Sequence, residues 1–133
     1  MKTEMTKQIM NFHADSFGIV HHGRYLEILE EARWQYVYEN NLMQPFIRKG
    51  IYHVVAGIHI DYLEKARPGD ELILRTEIGR VTEKSVVFRQ TAWKGEKLIV
   101  TAEVTDVFME KSGNRIVPVN TLREFWSDLG SEV

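Results

Sequence analysis

The sequence contains no cysteine and only three prolines in 133 residues. The absence of cysteine excludes disulfide bonds, thiolate catalysis and cysteine-ligated zinc. No apolar run approaches the roughly 20 residues that a membrane-spanning helix needs, and the N-terminal segment lacks the apolar core of a signal peptide. Charges of either sign are interleaved and the net charge is −2, which favours neither a nucleic-acid partner nor an anionic membrane surface. We therefore expect a cytoplasmic protein without a membrane span.

The composition that remains is that of a globular protein, with 44% hydrophobic and 27% charged residues. No internal repeat, low-complexity tract or linker interrupts the chain. A chain of this length buries enough surface for one hydrophobic core. We therefore expect residues 1–133 to form a single domain.

The pattern of apolar residues predicts one long helix followed by a sheet. A short strand over 5–12 and a glycine-containing loop precede a helix from Arg24 to Asn40, in which Tyr25, Leu29, Ala32 and Tyr36 share one face. The spacing then changes to two, which predicts strands over residues 53–63, 72–78, 84–93, 97–109 and 115–119. A short C-terminal helix is predicted from Thr121, where a capping-box pattern begins. Short turns between strands indicate an antiparallel sheet, and the broadly apolar helix favours a curved sheet wrapped around it, in the α+β class.

The loop before the helix contains the candidate chemistry. Asp15 lies a few residues ahead of the predicted helix start, where free N–H groups carry partial positive charge. Such amides polarise a thioester carbonyl, and a nearby carboxylate can attack that carbonyl or activate water. Loop aspartates also commonly form turns through their side chains. The residues alone leave both interpretations open.

Segment 15–25 resembles the 4-hydroxybenzoyl-CoA thioesterase-like branch of the hotdog superfamily, which includes acyl-CoA thioesterases associated with the Tol-Pal system. The matching features are an aspartate, a glycine three residues on, an aliphatic pair, a histidine-containing junction and an aromatic residue at the helix start. In this sequence they are Asp15, Gly18, Ile19-Val20, His21-His22 and Tyr25. The helix continuation through Arg33 and the stretches 60–72 and 102–108 are also similar, so the resemblance covers nearly the whole chain.

The resemblance implies a hotdog fold and hydrolysis of acyl-CoA to free CoA and a carboxylic acid, with no cofactor beyond the CoA of the substrate. By this resemblance Asp15 takes the place of the catalytic aspartate, which acts as nucleophile or general base. His22 takes the place of the residue whose backbone N–H polarises the thioester carbonyl. Gly18, Gly23 and Glu30 are expected to position this oxyanion site. The branch also implies a homo-oligomer, a dimer or a dimer of dimers (tetramer), with sites between subunits.

Three positions depart from the pattern of the branch and bear on the substrate. His13 stands where relatives often carry a second aspartate, Phe17 where a small residue is frequent, and Arg24 where asparagine is frequent. A charged His13 would lower the pKa of Asp15. Phe17 and Tyr25 are expected to contact the acyl group, and Lys84 is a candidate for the CoA phosphates, as are Arg80, Arg89 and Lys111.

Two other functions remain open. A hotdog dehydratase or hydratase acting on 3-hydroxyacyl thioesters would use His13 or His22 as a base, and a non-catalytic acyl-CoA-binding module would use Asp15 only as a turn former. His13, His21 and His22 with Asp15 also suggest a metal, but their spacing matches no common zinc motif. No metal site is therefore predicted.

Overall fold

The computed structural model of the protein describes residues 2–119, which form a sheet and two helices. In chain order the elements are β1 (Lys2–Gln8), a 3-10 turn (Asn11–His13), α1 (Arg24–Glu39), α2 (Met43–Lys49), β2 (Ile51–Tyr62), β3 (Glu71–Val81), β4 (Ser85–Lys94), β5 (Lys97–Glu110) and β6 (Ile116–Val117). The sheet has the order β1-β3-β4-β5-β2, with β6 paired to β5, and each of these pairs is antiparallel. The predicted α+β class is confirmed.

Helix α1 lies against the sheet through the face that the sequence predicts. Tyr25, Leu29, Ala32 and Tyr36 are all buried, as expected from their spacing of three and four residues. Around them are two apolar clusters, one at each end of the helix. The first joins Leu29 to Leu72 and Val100, and the second joins Tyr36 to Phe88.

A buried polar group lies between helix and sheet. The Arg33 guanidinium donates a hydrogen bond to Gln90 Oε1 at 3.0 Å, and Gln90 Nε2 donates to the Leu29 carbonyl and to Thr76 Oγ1. Burial lowers the pKa of Arg33, partly offset by Asp106 and Glu30. Because Gln90 accepts from one helix residue and donates to another, it fixes α1 on β4.

Helix α2 differs from the sequence prediction, in which Pro45 contributes to the end of α1. The proline lies in the first turn of α2, where a helix does not need its missing N–H. Gly50 ends the helix with a φ of 64°, a conformation that glycine adopts without strain. The prediction for β1 was also displaced: the strand covers residues 2–8 rather than 5–12, and the chain then enters the 3-10 turn. The helix predicted from Thr121 lies outside the described residues.

Strand β2 forms an edge of the sheet whose apolar side chains are only partly covered. Among residues 2–119 it pairs with β5 alone. Val55, Ile58 and Tyr62 pair with β5 residues that are buried on the helix side, so they share that face. They nevertheless remain 43%, 40% and 47% exposed. The helix lies mainly against β1 and β3, at the other side of the sheet, and leaves this side open.

Candidate active site

Asp15 opens a tight turn at the tip of a small hairpin. Ala14 and Val20 form an antiparallel bridge, the Asp15 N–H donates to the Ile19 carbonyl, and the Gly18 N–H donates to the Asp15 carbonyl. The Phe17 N–H donates to Asp15 Oδ1 at 2.8 Å. Gly18 has a φ of 77°, which a residue with a Cβ adopts only with strain. The turn-forming interpretation of Asp15 is thus confirmed, and it uses one carboxylate oxygen.

The second oxygen of Asp15 has no hydrogen-bond donor within the described part of the chain. The hairpin is anchored on both sides, since the Val20 N–H donates to the Ala66 carbonyl and the His21 N–H donates to the His13 carbonyl, each at 2.9 Å. The carboxylate is therefore held by its neighbours while one oxygen remains available to a water or a substrate.

The backbone amides at the start of α1 differ in whether they have a hydrogen-bond acceptor within the described chain. The N–H of Gly23 donates to His21 Nδ1, that of Arg24 to the His21 carbonyl and that of Tyr25 to the His22 carbonyl. The His22 N–H has no acceptor within residues 2–119. This amide, at the positive end of the helix dipole, is therefore free to donate to a ligand.

Asp15 and His22 line the same pocket, which has a volume of about 390 Å³ and falls within the range of small-molecule sites. Its wall also contains Ile19, Tyr25 and Tyr62. The structure thus brings together three residues that the sequence assigned to the site, namely Asp15, His22 and Tyr25.

Tyr25 contributes a buried hydroxyl to this region. The residue is 3% exposed, and its Oη has no hydrogen-bond partner within residues 2–119. Burial raises the pKa of Tyr25 to about 12, with smaller contributions from Tyr62 and Asp70. The phenol is therefore protonated at neutral pH and can donate a hydrogen bond.

The histidines of the loop have structural contacts. His13 Nδ1 accepts a hydrogen bond from the Met10 N–H at 2.8 Å, and burial, with Lys7 and Arg24, lowers the pKa of His13. A neutral His13 at pH 7 has little charge with which to alter Asp15. The rings of His21 and His22 stack at 4.3 Å. In the part of the chain that the structure describes, no group of three or more histidine, aspartate or glutamate residues is placed to hold a metal ion.

Four other residues were predicted for the site, and the structure places them as follows. Gly23 is the residue before α1, and a Cβ there would come within 3.1 Å of the His21 ring. The Phe17 side chain is 85% exposed. Glu30 accepts from Trp34 Nε1, one turn farther along α1. Lys84 is in the β3–β4 turn, at the opposite end of β3 from the segment that anchors the hairpin.

Tyr62 and Lys65 also line the pocket and were missed as site residues. The Tyr62 hydroxyl donates to the His22 carbonyl at 3.1 Å. In the sequence both belong to a stretch that supported the family resemblance, but the alternation of β2 marks Tyr62 only as one strand residue among several. Its contact with His22 joins residues 40 positions apart, which no local pattern reveals.

The fold and the sequence both match known thioesterases. Residues 17–101 match the family model described as the thioesterase superfamily. The chain is 30% identical over 92 residues to the acyl-CoA thioesterase YbgC of Haemophilus influenzae, covering 68% of each protein. It is 31% identical over 90 residues to the long-chain acyl-CoA thioesterase FadM of Escherichia coli, covering 68% of this chain and 67% of that protein.

Among solved structures, the chain is similar to YbaW, a probable thioesterase from Escherichia coli. The TM-score is 0.85 and the identity 26%, with 95% of this chain and 96% of YbaW covered. The predicted hotdog fold is therefore confirmed. The family match begins two residues after Asp15 but includes His22 and the whole of α1. On these matches, which extend over more than half of its length, the chain belongs to the thioesterase superfamily.

Proposed function

We propose that this protein hydrolyses acyl-CoA thioesters, with Asp15 providing the reacting carboxylate and the His22 N–H the oxyanion donor. The observation that carries the proposal is that His22, whose N–H has no acceptor within residues 2–119, lines the same pocket as Asp15. Its neighbours Gly23, Arg24 and Tyr25 all donate to acceptors within the chain. An unpaired amide at a helix N-terminus matches the negative charge that develops on a carbonyl oxygen under attack.

The proposed reaction has two forms that the site accommodates equally. As a nucleophile, the free oxygen of Asp15 adds to the carbonyl carbon, CoA leaves as the thiolate, and water cleaves the resulting anhydride. As a general base, Asp15 takes a proton from water, whose oxygen adds to the carbonyl carbon before the thiolate leaves. In both forms the His22 N–H holds the carbonyl oxygen as it becomes negative. The thiolate needs little acid assistance, so no further proton donor is required.

We propose that the hydrogen bond within the turn also orients the Asp15 carboxylate for the reaction. The Phe17 N–H occupies Oδ1 and so directs the other oxygen away from the turn. Tyr25 lines the pocket, and its protonated hydroxyl is buried. The roles of Gly18 and Gly23 follow from the loop geometry, whereas Phe17, Glu30 and Lys84 stay predictions.

We propose a homodimer formed through β2 and the adjoining face of α1. Among residues 2–119 the outer edge of β2 has no strand partner, so it presents unpaired backbone groups, and Val55, Ile58 and Tyr62 leave an apolar strip beside it. Leu26, on α1, is 44% exposed, and we propose that it is covered in the same interface. A second copy would pair with the edge and cover the strip, and a pocket lined by Tyr62 would then lie near the subunit boundary. Pairing of two such dimers into a tetramer stays a prediction.

The proposal also bears on the cofactor and the location of the protein. CoA is part of the substrate, so no separate cofactor is needed, and a location in the cytoplasm stays a prediction. Within residues 2–119 there is no helix of the length and apolar character needed to cross a membrane.

The test is thiol release from short, medium, long-chain and aromatic acyl-CoAs by the wild type and by Asp15→Asn. We expect Asp15→Asn to lower kcat/KM at least ~100-fold, as when a positioned acid-base group or nucleophile is removed. The asparagine retains an oxygen for the Phe17 N–H, so the turn persists. Asp61→Asn is the matched control, because Asp61 is an exposed carboxylate bonded to His59 outside the pocket.

Two results would contradict the proposal. Near-normal turnover by Asp15→Asn would remove Asp15 from the chemistry. A wild type that releases no thiol but hydrates crotonyl-CoA would establish the hydratase alternative, and one that binds acyl-CoA without turnover would establish the binding module.

A further inference from the structure

Tyr62 is the one side chain that hydrogen-bonds to the backbone of His22 in the described part of the molecule. Its hydroxyl reaches from the end of β2 to the His22 carbonyl at 3.1 Å. Its ring lies 5.6 Å from the ring of Tyr25 and forms part of the pocket wall. A strand at the edge of the sheet is thereby joined to a loop residue two positions before the start of α1.

The two peptide groups that flank His22 are held by different means. The preceding one is held through the His21 carbonyl, which accepts from the Arg24 N–H at 2.9 Å. The following one is held through the His22 carbonyl, which accepts from the Tyr62 hydroxyl and, at a longer 3.3 Å, from the Tyr25 N–H. The Gly23 N–H of the same peptide group also donates to His21 Nδ1 at 3.0 Å. Without the hydroxyl, the His22 carbonyl itself would keep only the longer contact with the Tyr25 N–H.

We propose that Tyr62 is a positioning residue for the oxyanion donor: its hydroxyl holds the peptide group after His22, while the Arg24 N–H holds the one that carries the His22 N–H, so that rotation of the backbone about His22 is restricted from both sides. The inference rests on the proposed function, because it assigns a role within the same site. A hydrogen bond weakens steeply as its angle departs from linear. Loss of the hydroxyl would therefore weaken the contact with the negatively charged oxygen more than the contact with the neutral carbonyl.

A purely structural role would have a different signature. Tyr62 is half exposed, so Tyr62→Phe leaves the ring in place, creates no cavity and strands no buried donor. Its folding should therefore be close to that of the wild type, while its catalysis changes.

The experiment compares Tyr62→Phe with Tyr52→Phe by steady-state thiol release. Tyr52 is a matched control: it is on the same strand, its hydroxyl donates to Asn114 Oδ1 at 3.0 Å, and it pairs with Met109 at the other end of β2. We expect Tyr62→Phe to lower kcat about tenfold, the scale of a lost hydrogen bond of about 1.4 kcal/mol, with KM within about twofold. Tyr52→Phe should match the wild type.

A second measurement does not depend on turnover. The nitrogen of Gly23 shares its peptide group with the His22 carbonyl, so its amide resonance reports the hydrogen bond to that oxygen. We expect the Gly23 ¹⁵N resonance to shift in Tyr62→Phe and to keep its position in Tyr52→Phe. An unchanged Gly23 resonance would overturn the inference even if activity fell.

The outcomes separate this inference from the proposed function. If the wild type is active, Asp15→Asn is inactive and Tyr62→Phe has the same kcat as Tyr52→Phe, only the positioning role is overturned. If Tyr62→Phe raises KM and leaves kcat unchanged, Tyr62 binds substrate and does not position the amide. If the wild type releases no thiol, or Asp15→Asn remains active, the proposed function itself fails.

Discussion

At the scale of single residues, the turn role of Asp15 and its proposed chemistry use different atoms. The sequence presented the turn former and the catalytic group as alternatives. In the structure Oδ1 accepts from the Phe17 N–H, while the other oxygen has no donor in the described chain. A turn aspartate can therefore also be a reacting carboxylate, and its own turn limits the directions that it can face.

His13 makes a residue-scale prediction about pH. Burial, with Lys7 and Arg24, lowers the pKa of His13, so the unfolded chain binds this proton more readily than the folded one. The neutral ring stabilises the folded state fully above the pKa of 6.5 that histidine has in the unfolded chain. This stabilisation is lost as the pH falls below that value. His13→Asn keeps an acceptor for the Met10 N–H but does not titrate. We expect its melting temperature, relative to wild type, to rise as the pH is lowered from about 7.5 to about 5.

His59→Asn is the control for this measurement, because His59 is exposed on β2 and its polar partner is the exposed Asp61. Its melting temperature should follow that of the wild type over the same range. A His13→Asn curve parallel to the wild-type curve would show that His13 is not the source of acid sensitivity.

At the scale of elements, Gln90 is the contact that fixes α1 to β4. Gln90→Leu fills a similar volume but removes the acceptor of Arg33 and the donor to the Leu29 carbonyl. A buried guanidinium without its partner is costly, and we expect a loss of roughly 3 kcal/mol in the free energy of unfolding. Urea denaturation measures the loss. Gln35→Leu is the control, since Gln35 is a half-buried residue of α1 whose hydrogen bonds, to Glu39 and to the Glu4 carbonyl, lie in exposed surroundings and leave no buried charge unpaired when they are lost.

A Gln90→Leu protein as stable as Gln35→Leu would show that the buried polar group can be replaced by packing alone. In that case the register of α1 would depend on its two apolar clusters.

The sequence predicted the elements that have a clear period and missed those that do not. Helix α1 ends within one residue of its prediction, and β3, β4 and β5 were placed in the correct order with their turns. Helix α2 has only seven residues, too few to establish a helical period, and its proline suggested a break. Arg33 was not predicted to be buried, because the partner that makes burial tolerable, Gln90, is 57 residues away.

The same reason limits what could be predicted of the site. Asp15, His22 and Tyr25 lie within eleven consecutive residues, so a local motif identifies them. Tyr62 reaches the site from β2, and its role depends on how the strand lies against the start of α1. Lys84 was chosen by its place near a strand end, and the strand register puts it away from the pocket in the same chain.

At the scale of the whole molecule, the proposed dimer predicts that substitutions of two neighbouring β2 residues have different effects on assembly. Val55 faces the helix side beside the free edge, whereas Val54 pairs with Val107 and faces the opposite side. Their exposures are similar, at 43% and 40%. We expect Val55→Lys to place a charge in the subunit interface and to give monomers in sedimentation at micromolar concentration. Val54→Lys should retain at least the dimer.

A monomeric wild type would contradict the dimer, and a dimeric Val55→Lys would move the interface away from this strip. Thiol release by the same two variants would show whether the pocket of a single chain is sufficient for turnover.

The strand order also determines when the site can form. Strands β3, β4 and β5 follow one another in the chain and pair as neighbours, whereas β1 and β2 come earlier and flank them on either side. During synthesis, β2 can therefore pair only after β5 has been made, and the hairpin of Asp15 can be anchored only after Ala66 has been made. Contacts between segments distant in sequence form late because closing the intervening loop costs entropy. We expect the pocket to be among the last parts of the molecule to become ordered, so that an incompletely synthesised chain carries the motif but cannot yet bind a thioester.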